Sequence, residues 1–162
     1  MQLPNLPTNK FKEQDIIDLV NSNNNPVSIS FNSPYDDNLI ITVPVWTYFF
    51  NEKFYVFTGE NSLKVKAIKK GLTNFSLIII DKNSFPVVYS SKMPYFSISG
   101  EATIISQTEN SNINEIHIKL LKKYNYEGAP KWLEKMILKL NEGPKNTWLI
   151  EIRPKKVFIF NE

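Results

Sequence analysis

Apolar and polar residues alternate along most of the middle of this chain, a spacing that fits strands rather than helices. "VSISF", from Val27, alternates at every position. "LIITVPVWTYFF" is a long β-branched and aromatic run, and after a turn at "NEK" it is followed by "FYVFT"; together they read as a hairpin. "FSLIIID" is a continuous apolar run of the kind expected for a strand buried on both faces. "PYFSISGEATIIS" puts Phe96, Ile98, Gly100, Ala102 and Ile104 on one face, with Tyr95, Ser97, Ser99, Glu101 and Thr103 on the other. The chain returns to strand in "TWLIEIRPKKVFIF".

Helical spacing occurs on either side of this region. Phe11, Ile16, Leu19 and Val20 recur at near-helical intervals over residues 8–21, with Thr8 or Asn9 as a cap, and "NSNNNP" then reads as a loop. In the segment 110–141, Ile113, Ile116, Leu120 and Tyr124 form one stripe. Pro130 opens a second helix there, in which Trp132, Met136, Ile137 and Leu140 are expected to face inward. The pattern predicts a single domain over 1–162, mainly β with peripheral helices. Strands joined by hairpins, with no regular crossover helices, predict an antiparallel barrel.

Composition narrows the chemistry. The chain has no cysteine and a single histidine, His117, which excludes thiolate chemistry and disulfides and argues against a histidine-rich metal centre or a Ser-His-Asp triad. His117 is expected at a solvent edge or an interface. A net charge of +3 is too mild to demand nucleic acid or an anionic membrane. The start of the chain lacks a signal peptide's apolar core and no run is long enough to span a bilayer, so a cytoplasmic protein is expected.

Two features stand out locally. In "FYVFTGENSLKVKAIKKG" a strand gives way at Thr58-Gly59 to a helix that Ser62 caps and Gly71 ends. Lys64 and Lys66 lie in its first turns, where the helix dipole disfavours cations by about 0.3–1 kcal/mol each. An anion reverses that sign, because Lys64 and the hydroxyls of Thr58 and Ser62 could converge on a phosphate, with Gly59 making a sharp turn. Solvated lysines with Glu60 nearby explain the pattern equally well. The second feature is Pro44, which can donate no ladder hydrogen bond and so belongs at an edge, a bulge or a ligand face.

These stretches resemble the flavin-binding split-barrel family related to pyridoxamine 5′-phosphate oxidase. The similarity rests on "VPVWTYFFNEKFYVFTGENSLKVKAI", "FSLIIID" and "FSISGEATI", with "TWLIEIRPKKVFIF" resembling the family's last strand. The resemblance implies a six-stranded antiparallel split β-barrel. It also implies a homodimer with flavin mononucleotide (FMN) in clefts at the subunit interface. Thr58, Ser62 and Lys64 would hold the phosphate, with Gly59 in the turn. Val43, Pro44 and Val45 would lie along the flavin ring, with Tyr95 near it, and Thr47 stands where relatives place a phosphate-binding lysine.

The implied activity is that of an oxidoreductase passing hydride or electrons through FMN to a small substrate, with a small molecule or a nicotinamide donor as partner and no catalytic side chain singled out. Glu101 and Tyr95 lie on the polar face of their strand, where an approach to that substrate and a plain surface position explain them equally well. Leu63 and Thr42 replace arginines of the vitamin-pathway oxidases, and Tyr95 replaces a glutamine, which argues against pyridoxamine phosphate as the substrate. A deazaflavin-dependent reductase and a flavin-binding protein without turnover remain alternatives. A single-strand nucleic-acid barrel is disfavoured because the lysines gather on one helix instead of along an aromatic groove.

Overall fold

The computed structural model describes residues 13–22, 27–80, 95–106, 111–142 and 148–160. The proposed caps Thr8 and Asn9, together with Phe11, lie outside them. Helix α1 (Glu13–Ser22) leads into strands β1 (Val27–Asn32), β2 (Ile40–Val45), β3 (Thr47–Phe50) and β4 (Lys53–Thr58). Helix α2 (Leu63–Lys69), β5 (Asn74–Ile80) and β6 (Tyr95–Ser106) follow, then α3 (Ser111–Lys123), α4 (Lys131–Asn141) and β7 (Trp148–Phe160).

The strands form one antiparallel sheet in the order β2-β1-β5-β6-β7-β4-β3. Among the described residues the sheet has seven strands, which corrects the expected six. The difference arises at Trp46, where the run read as one long strand divides. Its first half pairs with β1 and its second with β4. The two outermost strands are therefore joined by a single residue, which obliges the sheet to curl. Across the break, Phe57 N–H donates to the Trp46 carbonyl at 3.0 Å.

The alternation seen in the sequence decides what lies inside. Ile29, Phe31, Phe54, Val56, Leu77, Ile98 and Ile152 fill the interior, which α2 closes with Val65 and Ala67 and α1 with Val20. Burying each such side chain stabilises the fold by roughly 1.5–3 kcal/mol. A second apolar layer lies between the other face of β3, β4 and β7 and the helices α3 and α4. It contains Tyr55, Leu149, Ile113, Ile116, Leu120, Tyr124, Leu133, Ile137 and Leu140. β5 departs from its expected burial on both faces: Phe75, Leu77 and Ile79 are buried, while Ser76 and Ile78 are only partly so. An apolar residue on the outer face disguised an ordinary half-buried strand.

Several joints follow from local chemistry. The β3–β4 hairpin turns on Asn51 and Glu52, both at positive φ (47° and 64°), the backbone of a two-residue primed turn. Gly71, at φ 84°, ends α2 in a Schellman arrangement: its N–H donates to the Ile68 carbonyl (2.9 Å), and that of Leu72 to Ala67 (3.1 Å). The free side of β3 is satisfied by side chains instead of a neighbouring strand. The Asn21 amide exchanges bonds of 2.7 and 2.8 Å with the Phe49 backbone. Tyr124 Oη accepts from Thr47 N–H at 3.0 Å, and Lys123 Nζ donates to the Thr47 carbonyl at 2.9 Å. An edge that would otherwise invite another chain is thereby closed.

Gly100 faces the bulge where β6 meets β7, opposite Pro154. A Cβ there would stand 2.4 Å from the Arg153 carbonyl oxygen, a backbone atom that cannot move alone. Gly100→Ala is therefore expected to cost about 1–3 kcal/mol, read as a lowered denaturation midpoint with an unchanged slope. A midpoint equal to wild type would show that the bulge relaxes freely.

Candidate functional site

A cleft of about 290 Å³ opens where the sheet's two outermost strands meet, lined by Pro44, Val45, Trp46, Phe57, Lys64 and Trp132. Each wall has a local cause. Pro44 occupies an edge strand and is exposed, as its missing N–H requires. Val45 turns into the core at 5% exposure. Trp46, at the strand break, lies between two rings: Tyr124 at 5.0 Å with planes 9° apart, and Trp132 at 5.7 Å with planes 14° apart. Phe57 comes from β4, Lys64 from the first turn of α2, and Trp132 from α4.

Lys64 is the cleft's cation. Among the described residues no carboxylate pairs with it, and α2 has no acidic residue in its first turn. Burial pulls its ammonium below the usual lysine range. At the entry to the same helix, the Thr58 and Ser62 hydroxyls share a hydrogen bond of 2.7 Å, and Ser62 Oγ accepts from Val65 N–H at 3.3 Å as the helix cap. Either hydroxyl can turn its proton towards an anion.

The residues singled out from the sequence are thus partly assembled. Pro44, Val45 and Lys64 line one cleft, while Val43 lies beside them on β2 and packs against the barrel core. Thr58, Gly59 and Ser62 stand at the entry to α2 without lining the cleft. Gly59 opens the expected tight turn, its carbonyl accepting from Ser62 N–H at 3.1 Å, but it has no positive φ and a Cβ on it would meet nothing within 4 Å, so the turn does not require glycine there. Thr47 is elsewhere: fully buried, it donates its hydroxyl to the Tyr55 carbonyl at 3.1 Å, and its backbone is held by α3. Tyr95 opens β6, opposite Ile80 and Phe160 in register, and its side chain lies outside the described residues. Glu101 is exposed and pairs with Lys155 at 3.0 Å.

Sequence spacing missed two residues. Trp132 was expected to face inward, yet it is 47% exposed, because Leu133, Ile137 and Leu140 form the buried stripe of α4. Its place two residues after the helix-opening Pro130 was the available signal, since a first-turn aromatic can project past the helix end. His117 was expected at an edge and is instead fully buried, 5.3 Å from the Phe57 ring.

Burial pushes His117 from the usual 6.5 down to about 4. The unfolded chain then binds a proton at pH 6.5 that the folded one refuses until pH 4, so stability falls as pH drops through that window. The loss amounts to about 3 kcal/mol. His117→Leu is expected to flatten the fall between pH 6.5 and 4, measured by urea unfolding at each pH. Parallel curves for variant and wild type would refute this.

Among the described residues no group of three or more His, Asp or Glu could hold a metal ion, and no helix is long and apolar enough to cross a membrane. No family model matches the chain, and no curated protein matches it by sequence. Solved structures do match. The conserved hypothetical protein Rv2991 of Mycobacterium tuberculosis is similar at a TM-score of 0.70 and 15% identity, covering 97% of this chain and 89% of that one. An F420 reductase is similar at a TM-score of 0.58 and 14% identity, over 87% of this chain and 94% of that one. A Listeria innocua protein provisionally named a pyridoxamine 5′-phosphate oxidase is similar at 0.60 and 13%, over 93% and 98%. Likeness at such low identity carries the fold alone, and the fold is the split barrel shared by pyridoxamine 5′-phosphate oxidase-like proteins and F420 reductase.

Proposed function

We propose that this protein binds FMN in the cleft between β2, α2 and α4 and acts as a flavin-dependent oxidoreductase. The observation that carries the reading is the meeting of Pro44, Val45 and Lys64 in one cleft. The first two come from the stretch expected along a flavin ring, the third from the stretch expected at a phosphate. The donors present suit one phosphate group: a desolvated ammonium with no carboxylate partner among the described residues, and, at the entry to the same helix, a hydrogen-bonded pair of hydroxyls with one proton left to donate. The walls are apolar and aromatic, as a flat heterocycle requires.

When bound, the flavin supplies the electron-transfer chemistry; the chain supplies placement and a dry wall. Lys64 fixes the anionic end, and the Thr58–Ser62 pair at the helix entry turns its one uncommitted proton towards it. Pro44 leaves a stretch of backbone unpaired on the outer side of β2, against which the ring edge can lie. Trp46 and Phe57 keep water from the inner side.

A cleft of about 290 Å³ is small beside the roughly 300–1,000 Å³ usual for ligand pockets. A homodimer supplies the missing wall, with a second copy closing the open side. A deazaflavin is the second reading, because an F420 reductase shares the fold. Titrating the purified protein with FMN and with a deazaflavin, followed by absorbance and by mass in solution, tests all three points. Saturable FMN binding by a dimer is expected. Selective binding of the deazaflavin would replace FMN with it, and binding of neither would end the proposal.

A further inference from the structure

Trp132 has one ring face against Trp46, is 47% exposed, and lines the same cleft as the Lys64 ammonium, which no carboxylate among the described residues neutralises. We propose that Trp132 is the specificity-determining residue of the cleft, the platform that selects ligands carrying a flat aromatic ring on an anionic arm. This deepens the flavin reading and rests on it for the ligand's location.

The geometry gives three reasons. First, α4 has no need of Trp132 for its own burial, since Leu133, Ile137 and Leu140 supply its core-facing stripe. An exposed indole there otherwise leaves a large apolar ring in water. Second, the ring is held in place. Tyr124, fixed by hydrogen bonds to the Thr47 backbone and Lys123, stacks on Trp46, and Trp46 stacks on Trp132. A platform supported from behind loses little freedom when a ligand settles on it. Third, the chemistry of the cleft divides in two. Lys64 recognises charge alone, whereas the indole recognises a π-face alone. A ligand with only one of these features engages only one wall.

The test uses the full chain, with FMN, riboflavin, ribose 5-phosphate and pyridoxal 5′-phosphate as probes, and reads calorimetric affinity and tryptophan fluorescence. Trp132→Ala is expected to weaken FMN by ~10-fold or more, the range of one aromatic stacking contact. Trp132→Phe, which keeps a ring, should stay within ~3-fold of wild type. Ribose 5-phosphate should be indifferent to both substitutions, and FMN should quench wild-type fluorescence more than that of Trp132→Ala. FMN bound equally well by Trp132→Ala overturns the proposal while leaving flavin binding intact. If wild type ignores FMN but takes pyridoxal 5′-phosphate with the same dependence on Trp132, the flavin reading falls and the platform stands. Absence of binding by either flat anion overturns both.

Discussion

Lys64→Glu abolishes retention of FMN while leaving the protein as stable as wild type or slightly more so. The two signs separate because the residue does opposite things for binding and for folding. For a bound phosphate, the substitution turns the cleft's one lining ammonium into a like charge. Loss of a charge-assisted contact plus the new repulsion is expected to weaken binding by about 100-fold or more, equivalent to roughly 3 kcal/mol. For folding, a half-buried cation in the first turn of α2 is unfavourable twice over, from desolvation and from the helix dipole. A carboxylate at that position faces the favourable end. Titration of FMN beside a thermal melt checks both halves. Lys69→Glu, at the exposed end of the same helix, serves as control, with binding unchanged and stability slightly lowered. Unchanged FMN affinity in Lys64→Glu would remove the phosphate end of the site.

Lys123→Met should stabilise the protein at pH 7 and cease to do so by pH 9.5. Lys123 is largely buried against β3, donating to the Thr47 carbonyl and to Tyr124 Oη, and burial holds it near 7 instead of 10.5. Between those values the unfolded chain keeps a proton that the folded chain gives up, so wild-type stability rises with pH from 7 towards 10.5. The gain between pH 7 and 9.5 is roughly 3 kcal/mol. Methionine fills similar space with no charge to desolvate, at the loss of two hydrogen bonds worth about 1 kcal/mol each. A net gain of about 2 kcal/mol at pH 7 should therefore shrink to nothing or reverse at pH 9.5. Higher pH is avoided because Tyr124 and Tyr55 are both pushed up to about 12, so their ionisation in the unfolded chain lowers stability above pH 10. Equal effects of the substitution at the two pH values would refute the buried-amine account.

Much of this was legible in the sequence for a physical reason: strand faces, helix stripes and turn geometry are set by residues close together in the chain. The alternation in β1 and β6, a turn within Asn51–Lys53, the Gly71 terminator and the confinement of Pro44 to an edge, a bulge or a ligand face all depend on a few neighbours. The lysine at the start of α2 was visible for the same reason, as a local departure from what the dipole favours.

What covers each face depends on residues far away, and there local patterns fell short. Thr47 sits in a strand that looked ready for a ligand, but Tyr124 and Lys123, 77 and 76 residues on, close that edge. His117 shares a helix stripe that any amphipathic pattern would allow to face water, and only the outer wall of β4 makes it core. Trp132 fits an inward face on spacing alone, yet three neighbours fill the contact and leave it over the cleft. The sequence alone determined where the chain is extended, the inward faces of the alternating strands and the out-of-place cation. Tertiary packing decided that the sheet divides and curls at Trp46, and that helix α4 brings an indole to the cation, because a residue's neighbours across space are chosen by the whole fold.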